Sequence, residues 1–272
     1  MALTRIVYTH SGVDVNGSVC ETAQNATVTF NIPRENVNVM GLSGTVDRPQ
    51  LDAADATLEF SMIPQDAGES PTIDAAKIKG YIDDGLANAP TRLASVKALG
   101  VGEIKNALMS SVSCEAAVGS MANMTLSFTG TPVAAVPAAA GSSPAASAIK
   151  LVSPKDVTVA DGTYQTACAQ SAAASWDLPI ETVLCLGGDP EDPAQVHTFG
   201  NPPGTASFTI EGLDSGLAYT TASASYDLTI GDYKWTLSNG RVDSQTNSLA
   251  VGDTFGTFNY VISGTADGYT VA

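Results

Sequence analysis

Positive charge, histidine and aromatic residues are all scarce in this chain of 272 residues. It contains 12 Lys and Arg against 28 Asp and Glu, which gives a net charge of −16. Proteins bind nucleic acids largely because Lys and Arg neutralise phosphates and release counterions. We therefore do not expect a DNA- or RNA-binding protein. Charged residues make up only 15% of the chain and are spread along it, so an acidic disordered tail is excluded as well.

Cysteines are also few, and long apolar runs are missing. Cys20, Cys114, Cys168 and Cys185 are too few for a disulfide scaffold and form no CxxC pair, so we expect four buried free thiols. No window approaches the roughly 18 apolar residues of a membrane-spanning helix. Residues 1–10 lack the basic and apolar regions of a secretory signal. These absences predict a chain that folds in the cytosol and does not engage membranes.

Chemistry-bearing motifs are missing too. The two histidines, His10 and His197, are not near a nucleophile motif; His10 lies in an alternating stretch and His197 in a loop rich in Gly and Pro. The acidic segment 187–193 lacks the alternating ligand spacing of a calcium loop, which favours a solvated loop. No nucleotide-binding, metalloprotease or hydrolase motif occurs. We expect no enzyme, and no catalytic, cofactor or metal-binding residues.

A segment of Ala, Pro, Ser and Gly divides the chain. It carries no large side chain that could anchor a core, and its prolines favour extended backbone. We predict a first domain over residues 1–131, a linker over 132–150 and a second domain over 151–272.

The two predicted domains share sequence landmarks. Each contains the pattern Pro-x-Glu-x-Val-x-x-x-Gly after a strand-like run, and each ends in an Ala-Val-Gly step that leads to a Gly-Thr pair. The landmark residues of the first pattern and its copy are Pro33, Glu35 and Gly41, and Pro179, Glu181 and Gly187. Landmarks in the same order indicate a tandem duplication. The pattern is typical either of a strand end followed by a turn or of a long loop that reaches a neighbouring subunit.

Alternation of apolar and polar residues predicts strands throughout. Such half-polar strands are typical of antiparallel sheets with one buried face. The apolar positions are Val28, Phe30, Ile32, Leu58, Phe60, Met62, Met124, Leu126, Phe128, Tyr226, Leu228, Ile230, Tyr233, Trp235, Leu237, Phe258, Tyr260 and Ile262. Gly231-Asp232 predicts a hairpin turn, and Asn239-Gly240 predicts another.

Helix is predicted at one segment, residues 71–86, with Thr72 as its N-cap. Ile104 and Leu108 suggest a second helical turn. The corresponding region of the second half is shorter, because residues 61–118 correspond to 211–251. The composition and pattern together predict a mainly β protein of two tandem antiparallel β-sandwich domains, with a short flanking helix in at least the first.

The chain resembles the major tail tube proteins of long-tailed bacteriophages. The resemblance rests on the strand Asn25–Glu35 with the following Gly41, on the Arg48-Pro49 step into residues 56–60, and on the strand from Val118-Gly119 to Gly130. It covers most of residues 1–131 and recurs in weaker form over 151–272. In that family two antiparallel sheets pack as a sandwich, a strand runs into a long loop, and single-domain subunits stack as hexameric rings.

This resemblance implies a virion structural protein made in the host bacterial cytoplasm and located in the tail. Because the chain carries two copies, it implies three chains per ring, a trimer with pseudo-sixfold symmetry, which stacks into a tube that delivers DNA. It further implies tape-measure and tail-terminator or tip proteins as partners, and acidic residues that keep the bore from binding the genome. Which acids face the bore does not follow from the sequence.

Other classes of protein fit part of the same pattern. A capsid decoration or neck protein shares the composition but does not stack on itself. An adhesin-like or carbohydrate-binding module favours an exposed aromatic platform, whereas Trp176 and Trp235 lie in strand-like runs and are predicted to be in the core.

Overall fold

The fold is mainly β, with large antiparallel sheets and one α-helix, as the sequence predicts. The computed structural model describes residues 12–36, 50, 52–65, 72–138, 151–161, 168–185, 188, 192, 195–201, 204–213, 224–249 and 256–272. The predicted linker begins where the last strand of the first half ends, at Pro132, and residues 139–150 lie outside the described residues. That the halves are two separate domains stays a prediction.

Each half of the chain contributes a series of strands. The elements of the first half are β1 (Val13–Val15), β2 (Ser18–Cys20), β3 (Ala23–Asn31), β4 (Asp55–Met62), α1 (Ala75–Leu86), β5 (Val96–Ala98), β6 (Gly102–Ala117) and β7 (Asn123–Pro132). Those of the second half are β8 (Val157–Asp161), β9 (Ala169–Asp177), β10 (Ile180–Leu184), β11 (Val196–Gly200), β12 (Thr205–Leu213), β13 (Ala224–Ile230), β14 (Tyr233–Ser248), β15 (Thr257–Thr265) and β16 (Tyr269–Val271), with short 3₁₀ turns at Pro154–Asp156 and Ala266–Gly268.

The two halves have the same pattern of strand pairing. In the first half the strands pair in the order β1–β5–β6–β7–β4–β3, and in the second in the order β8–β13–β14–β15–β12–β9. The six strands of each series also follow one another in the same chain order. Strands β2 and β16 and the hairpin of β10 with β11 are additions to this shared pattern.

The register of the two halves matches as well. Ala56 pairs with Gly130 in the first half, and Ala206 pairs with Gly264 in the second. The ladder of β6 with β7 shifts register after Met109, and the ladder of β14 with β15 shifts at the corresponding place, after Val242. The ladders of β3 with β4 and of β9 with β12 also share one irregularity. Residues in the shared ladders of one half therefore have defined counterparts in the other.

A direct strand pairing joins the halves into one sheet. The C-terminal part of β6 pairs antiparallel with β9, from Ser111 opposite Asp177 to Ala117 opposite Ser171. The eight strands β3–β4–β7–β6–β9–β12–β15–β14 form a continuous series within a 14-stranded sheet. We call the β6–β9 ladder the internal seam.

One face of this sheet carries the core, as the alternation predicts. Phe60 stacks on Phe128 in the first half, and both are fully buried. Trp176 and Trp235 are also fully buried, which confirms their predicted place in the core. Burial of such aromatic side chains contributes roughly 1.5–3 kcal/mol each. The prediction is wrong for two residues of one strand run: Phe30 and Ile32 are 46% and 45% exposed.

Helix α1 lies within the predicted segment, but its start differs from the prediction. Asp74, not Thr72, is the N-cap, and its carboxylate accepts a hydrogen bond from the backbone N–H of Lys77 at 2.8 Å. Ile78 and Ile82 are buried on the inner side of the helix. The helix contacts β6 of the first half and also β11 and β16 of the second, so it packs across both halves.

Two local predictions from sequence are wrong. Ile104 and Leu108 lie in strand β6, where Ile104 pairs with Val96 of β5 and Pro132 of β7, and Leu108 pairs with Thr129 of β7; both side chains are buried. Asn239-Gly240 lies inside strand β14, where Gly240 pairs with Ala224 of β13. The other predicted hairpin turn, Gly231-Asp232, is confirmed between β13 and β14, and Gly231 has the positive φ of 60° that such a turn needs.

Candidate assembly interface

The internal seam is closely packed on its core side. Val112 and Cys114 of β6 lie opposite Trp176 and Ala174 of β9, and all four side chains are at most 1% exposed. The indole N–H of Trp176 donates a hydrogen bond to the carbonyl of Ala266 at 3.2 Å. Cross-strand contacts of this kind stabilise paired strands. The seam is therefore a stable contact between two units with the same strand pairing.

The strands that correspond to the two sides of this seam end the eight-strand series. Strand β3 corresponds to β9, and β14 corresponds to β6. In the described part of the chain β3 pairs only with β4, and the C-terminal half of β14 pairs only with β15. We call the outer edges of β3 and of residues 244–249 the open edges. An unpaired edge strand presents backbone N–H and C=O groups to another strand.

Apolar side chains are exposed at both open edges. Phe30, the counterpart of buried Trp176, is 46% exposed, and Leu249, the counterpart of Ala116, is 73% exposed. Ala116 itself is 8% exposed in the internal seam. The positions that are exposed at the open edges are thus the positions that the internal seam buries.

The face of the sheet opposite the core is mostly polar, although Ala117, Ala173, Val261 and Leu108 also lie on it. Cross-strand partners on this face form four successive rows, which are Thr27–Glu59–Ser127–Ser111–Asp177–Thr205–Thr265, Asn25–Ser61–Thr125–Ser113–Ser175–Ser207–Ser263–Arg241, Asn123–Glu115–Ala173–Thr209–Val261–Ser244, and Ala117–Ser171–Glu211–Asn259–Thr246. Hydroxyl groups hydrogen-bond across strands within the rows, as Ser175 and Ser207 do at 2.7 Å. We call this surface the hydroxyl face.

Charge on the hydroxyl face is mostly negative. Glu59, Glu115, Asp177 and Glu211 are the acidic residues in the four rows, and Arg241 is the basic residue in them. All five are exposed. The sequence does not reveal this grouping, because it depends on which strands lie side by side.

The landmark residues of the repeated pattern are placed at the end of β3 and of β9. Pro33 and Glu35 follow β3, and Pro179 follows β9, whereas Glu181 is an exposed residue of β10. In the second half the pattern therefore begins a hairpin, β10 with β11. Gly41 and Gly187 lie outside the described residues. Among the described landmarks, no strand pairing joins those of one half to those of the other.

The base of the β10–β11 hairpin lies against the first half. The Arg92 Nε–H donates a hydrogen bond to the carbonyl of Thr198 at 2.7 Å, and its guanidinium lies 4.8 Å from the ring centre of Phe199. A Cβ added at Gly200 would overlap the carbonyl of Gly85 in α1, so only glycine allows this close approach. The hairpin is thereby positioned on α1 beside the internal seam.

Two of the four cysteines are not buried, contrary to the prediction. Cys20 and Cys114 are buried free thiols, and Cys168 and Cys185 are exposed free thiols. Burial raises the pKa of Cys20 to about 11 and that of Cys114 to about 12. The buried thiols therefore stay protonated and unreactive at neutral pH.

The remaining candidates for chemistry are dispersed. His197 lies in strand β11 rather than in a loop, exposed beside Phe199, and His10 lies outside the described residues, as does most of segment 187–193. Within the described ranges no three His, Cys, Asp or Glu side chains are grouped as metal ligands. No helix among the described residues is long and apolar enough to cross a membrane. A groove of about 490 Å³ beside the seam is lined by Ala, Val and Ser together with Cys168, Thr158 and Gln170.

Comparison with protein-family models and with curated proteins finds no match to this chain.

Proposed function

We propose that the chain is a virion structural protein that closes with copies of itself into rings and stacks them as the tail tube of a bacteriophage. The observation that supports this is the internal seam, which joins two units of the same pairing pattern edge to edge. The corresponding edges, on β3 and β14, remain open at the two ends of the series. A second chain that pairs its β3 with β14 repeats the internal seam between chains.

Such a head-to-tail contact uses two different surfaces, so it closes into a ring when the rotation per unit allows. The stagger of the sheet is compatible with closure. The row of cross-strand partners that begins at Thr27 of β3 reaches Asp177 of β9 after four strand-to-strand steps. The counterpart of Asp177 in β3 is Asn31, so the row is displaced by four residues along the strand over those four steps. With strand spacings of about 4.8 Å and rises of about 3.3 Å, this corresponds to a strand tilt of about 35°, the range of closed barrels.

Three chains give a barrel of six four-stranded units. At the same spacing and tilt, 24 strands enclose a barrel roughly 45 Å in diameter. That is wide enough for a DNA double helix to pass. Covalent linkage of two units makes half of the lateral contacts intramolecular and raises their effective concentration.

The hydroxyl face is the lining of the bore in this proposal. The core face is covered by α1, β5 and β13, so it packs outward, and the hydroxyl face is left to line the interior. Short hydroxyl side chains and carboxylates such as Glu59 and Glu211 bind phosphates poorly, since nucleic-acid affinity needs cations that release counterions. DNA then passes without specific binding. Tape-measure and tail-terminator or tip proteins are the expected partners, and the virion tail is the expected location.

A disulfide placed across the open edges tests the ring. Thr29 and Thr246 are the counterparts of Ser175 and Ser113, which lie directly opposite each other in the internal seam. Opposite residues of antiparallel strands are about 4.5–5.5 Å apart between Cα atoms, within reach of a disulfide. In a background of C168S/C185S, oxidised T29C/T246C should give a closed covalent trimer on a non-reducing gel, because disulfides capture even transient pairing.

The matched control is S113C/S175C, which should form its disulfide within one chain and stay monomeric. If S113C/S175C oxidises while T29C/T246C remains a monomer, the chains do not pair through these edges and the ring is refuted. The alternatives differ in their outcome: a capsid decoration or neck protein, or an adhesin-like or carbohydrate-binding module, gives no closed trimer through these edges.

A further inference from the structure

The side chains at the open edges differ in chemistry from their counterparts in the internal seam. Val112 and Cys114 of β6 face Trp176 and Ala174, so every side chain at the core of the internal seam is apolar or a buried thiol. The counterparts of Val112 and Cys114 in β14 are Gln245 and Asn247.

These counterparts follow from shared register. Met109 and Val242 both precede the shift in their ladders, and after it Val112 pairs with Leu126 where Gln245 pairs with Tyr260. Gln245 and Asn247 are two residues apart and lie on the same side of β14. The Gln245 carboxamide N–H donates to the Asn247 side-chain oxygen at 3.4 Å.

Pairing of β14 with β3 of a second chain in the register of the internal seam brings Phe30 opposite Gln245 and Val28 opposite Asn247. The Asn247 carboxamide, which is exposed in the single chain, then loses water on the core side of the sheet, and so does the accessible part of Gln245, whose side-chain oxygen is already buried. Burial of a carboxamide costs free energy unless its hydrogen bonds are replaced, and an aromatic ring and a valine replace none of them. The contact between chains is therefore weaker than the one within the chain, although the backbone ladder is the same.

We propose that the carboxamide pair Gln245–Asn247 sets the concentration at which one chain pairs with another, and keeps free chains apart until an existing ring offers further contacts. This inference rests on the proposed ring. The partner at this surface is a second copy of the chain, presenting Phe30 and Val28 of its β3. The pair thus has the same effect as the charged residues that many proteins place on edge strands to prevent unwanted pairing.

The test is the assembly threshold in solution, measured by sedimentation velocity over a range of protein concentrations. Q245V/N247A, which makes β14 resemble β6, should form trimers at a concentration lower than the wild-type threshold by about tenfold or more. The matched control T246V changes the neighbouring position on the opposite, hydroxyl face. It should leave the threshold within about threefold of the wild type.

A second variant covers the case in which Q245V/N247A aggregates. Q245E stays soluble, brings a carboxylate opposite Phe30, and should raise the threshold by about tenfold or more. Equal thresholds for the wild type, Q245V/N247A and Q245E would overturn the inference, as would an equal decrease in T246V and Q245V/N247A. The T29C/T246C disulfide separates the two claims: a covalent trimer with unchanged thresholds removes only this inference, and no covalent trimer removes the ring itself.

Discussion

Replacement of Trp176 by alanine tests the internal seam against a counterpart in the same chain. Trp176 is fully buried where β9 meets β6, and its indole N–H is bonded to the Ala266 carbonyl. Truncation of a buried Trp to Ala typically costs about 3–5 kcal/mol. The lost hydrogen bond adds about 1 kcal/mol. We therefore expect W176A to lower the free energy of unfolding by about 4 kcal/mol or more.

The control is F30A, at the corresponding position of the first half. Phe30 is 46% exposed in the single chain, so its truncation removes about half the apolar burial that a core Phe contributes. We expect a loss of about 1 kcal/mol. The two residues occupy the same register in corresponding strands, so the difference between the variants reports the contacts that Trp176 alone makes, with β6, α1 and the Ala266 carbonyl.

The assay is equilibrium unfolding in urea, followed by circular dichroism at protein concentrations below the assembly threshold. A difference of about 3 kcal/mol between W176A and F30A is the expected result. Equal losses in the two variants, or a loss below about 1 kcal/mol in W176A, would refute the packing of β9 on β6.

Three further predictions concern the hairpin, a buried thiol and the hydroxyl face. Gly200→Ala should destabilise the chain by about 2 kcal/mol or more in the same urea assay, because the added Cβ overlaps the backbone of α1. The control Gly80→Ala, in open space on that helix, should stabilise the chain by about 0.5–1 kcal/mol. Equal effects of the two substitutions would refute the close approach of Gly200 to α1. The pKa of Cys114 is raised to about 12, so the native state keeps a proton that the unfolded state loses above the ordinary value of 9.0, and stability should fall as pH rises from 9 towards 12. Between pH 8 and 10.5 the fall in stability should be about 1–2 kcal/mol smaller in C114A than in the wild type. An equal fall in both proteins would count against burial of this thiol. Assembled tubes of E59K/E211K should bind duplex DNA at low salt and release it as the salt concentration rises, whereas wild-type tubes should not bind it. If neither kind of tube binds DNA, these acids do not line the bore.

The strands were predictable from sequence because each carries its own alternation. Leu58, Phe60 and Met62 share the buried face in the structure as in the pattern, and Gly231-Asp232 turns as its glycine requires. Asn239-Gly240 has the same local signal and does not turn, since β14 continues through it and pairs with β13 on one side and β15 on the other. A local signal cannot report a strand of 16 residues that exchanges partners midway.

The candidate interface could not be predicted from the sequence for a related reason. The pairing of Ser111 with Asp177 joins residues of different halves, and it fixes which acids share the hydroxyl face. Phe30 marks the open edge only once the structure is known: the alternation predicts that it is buried, and the structure leaves it half exposed. The repeated Pro-x-Glu pattern indicated two similar halves but not the seam between them.

Electron microscopy of the oxidised T29C/T246C protein, with its native mass measured on the same sample, would show directly whether the chains close into rings. We expect closed rings of three chains, each of 27.7 kDa, with an open centre, that stack into hollow tubes as the protein is concentrated. Rings with another number of chains, open linear polymers, or filaments without a bore would contradict this expectation.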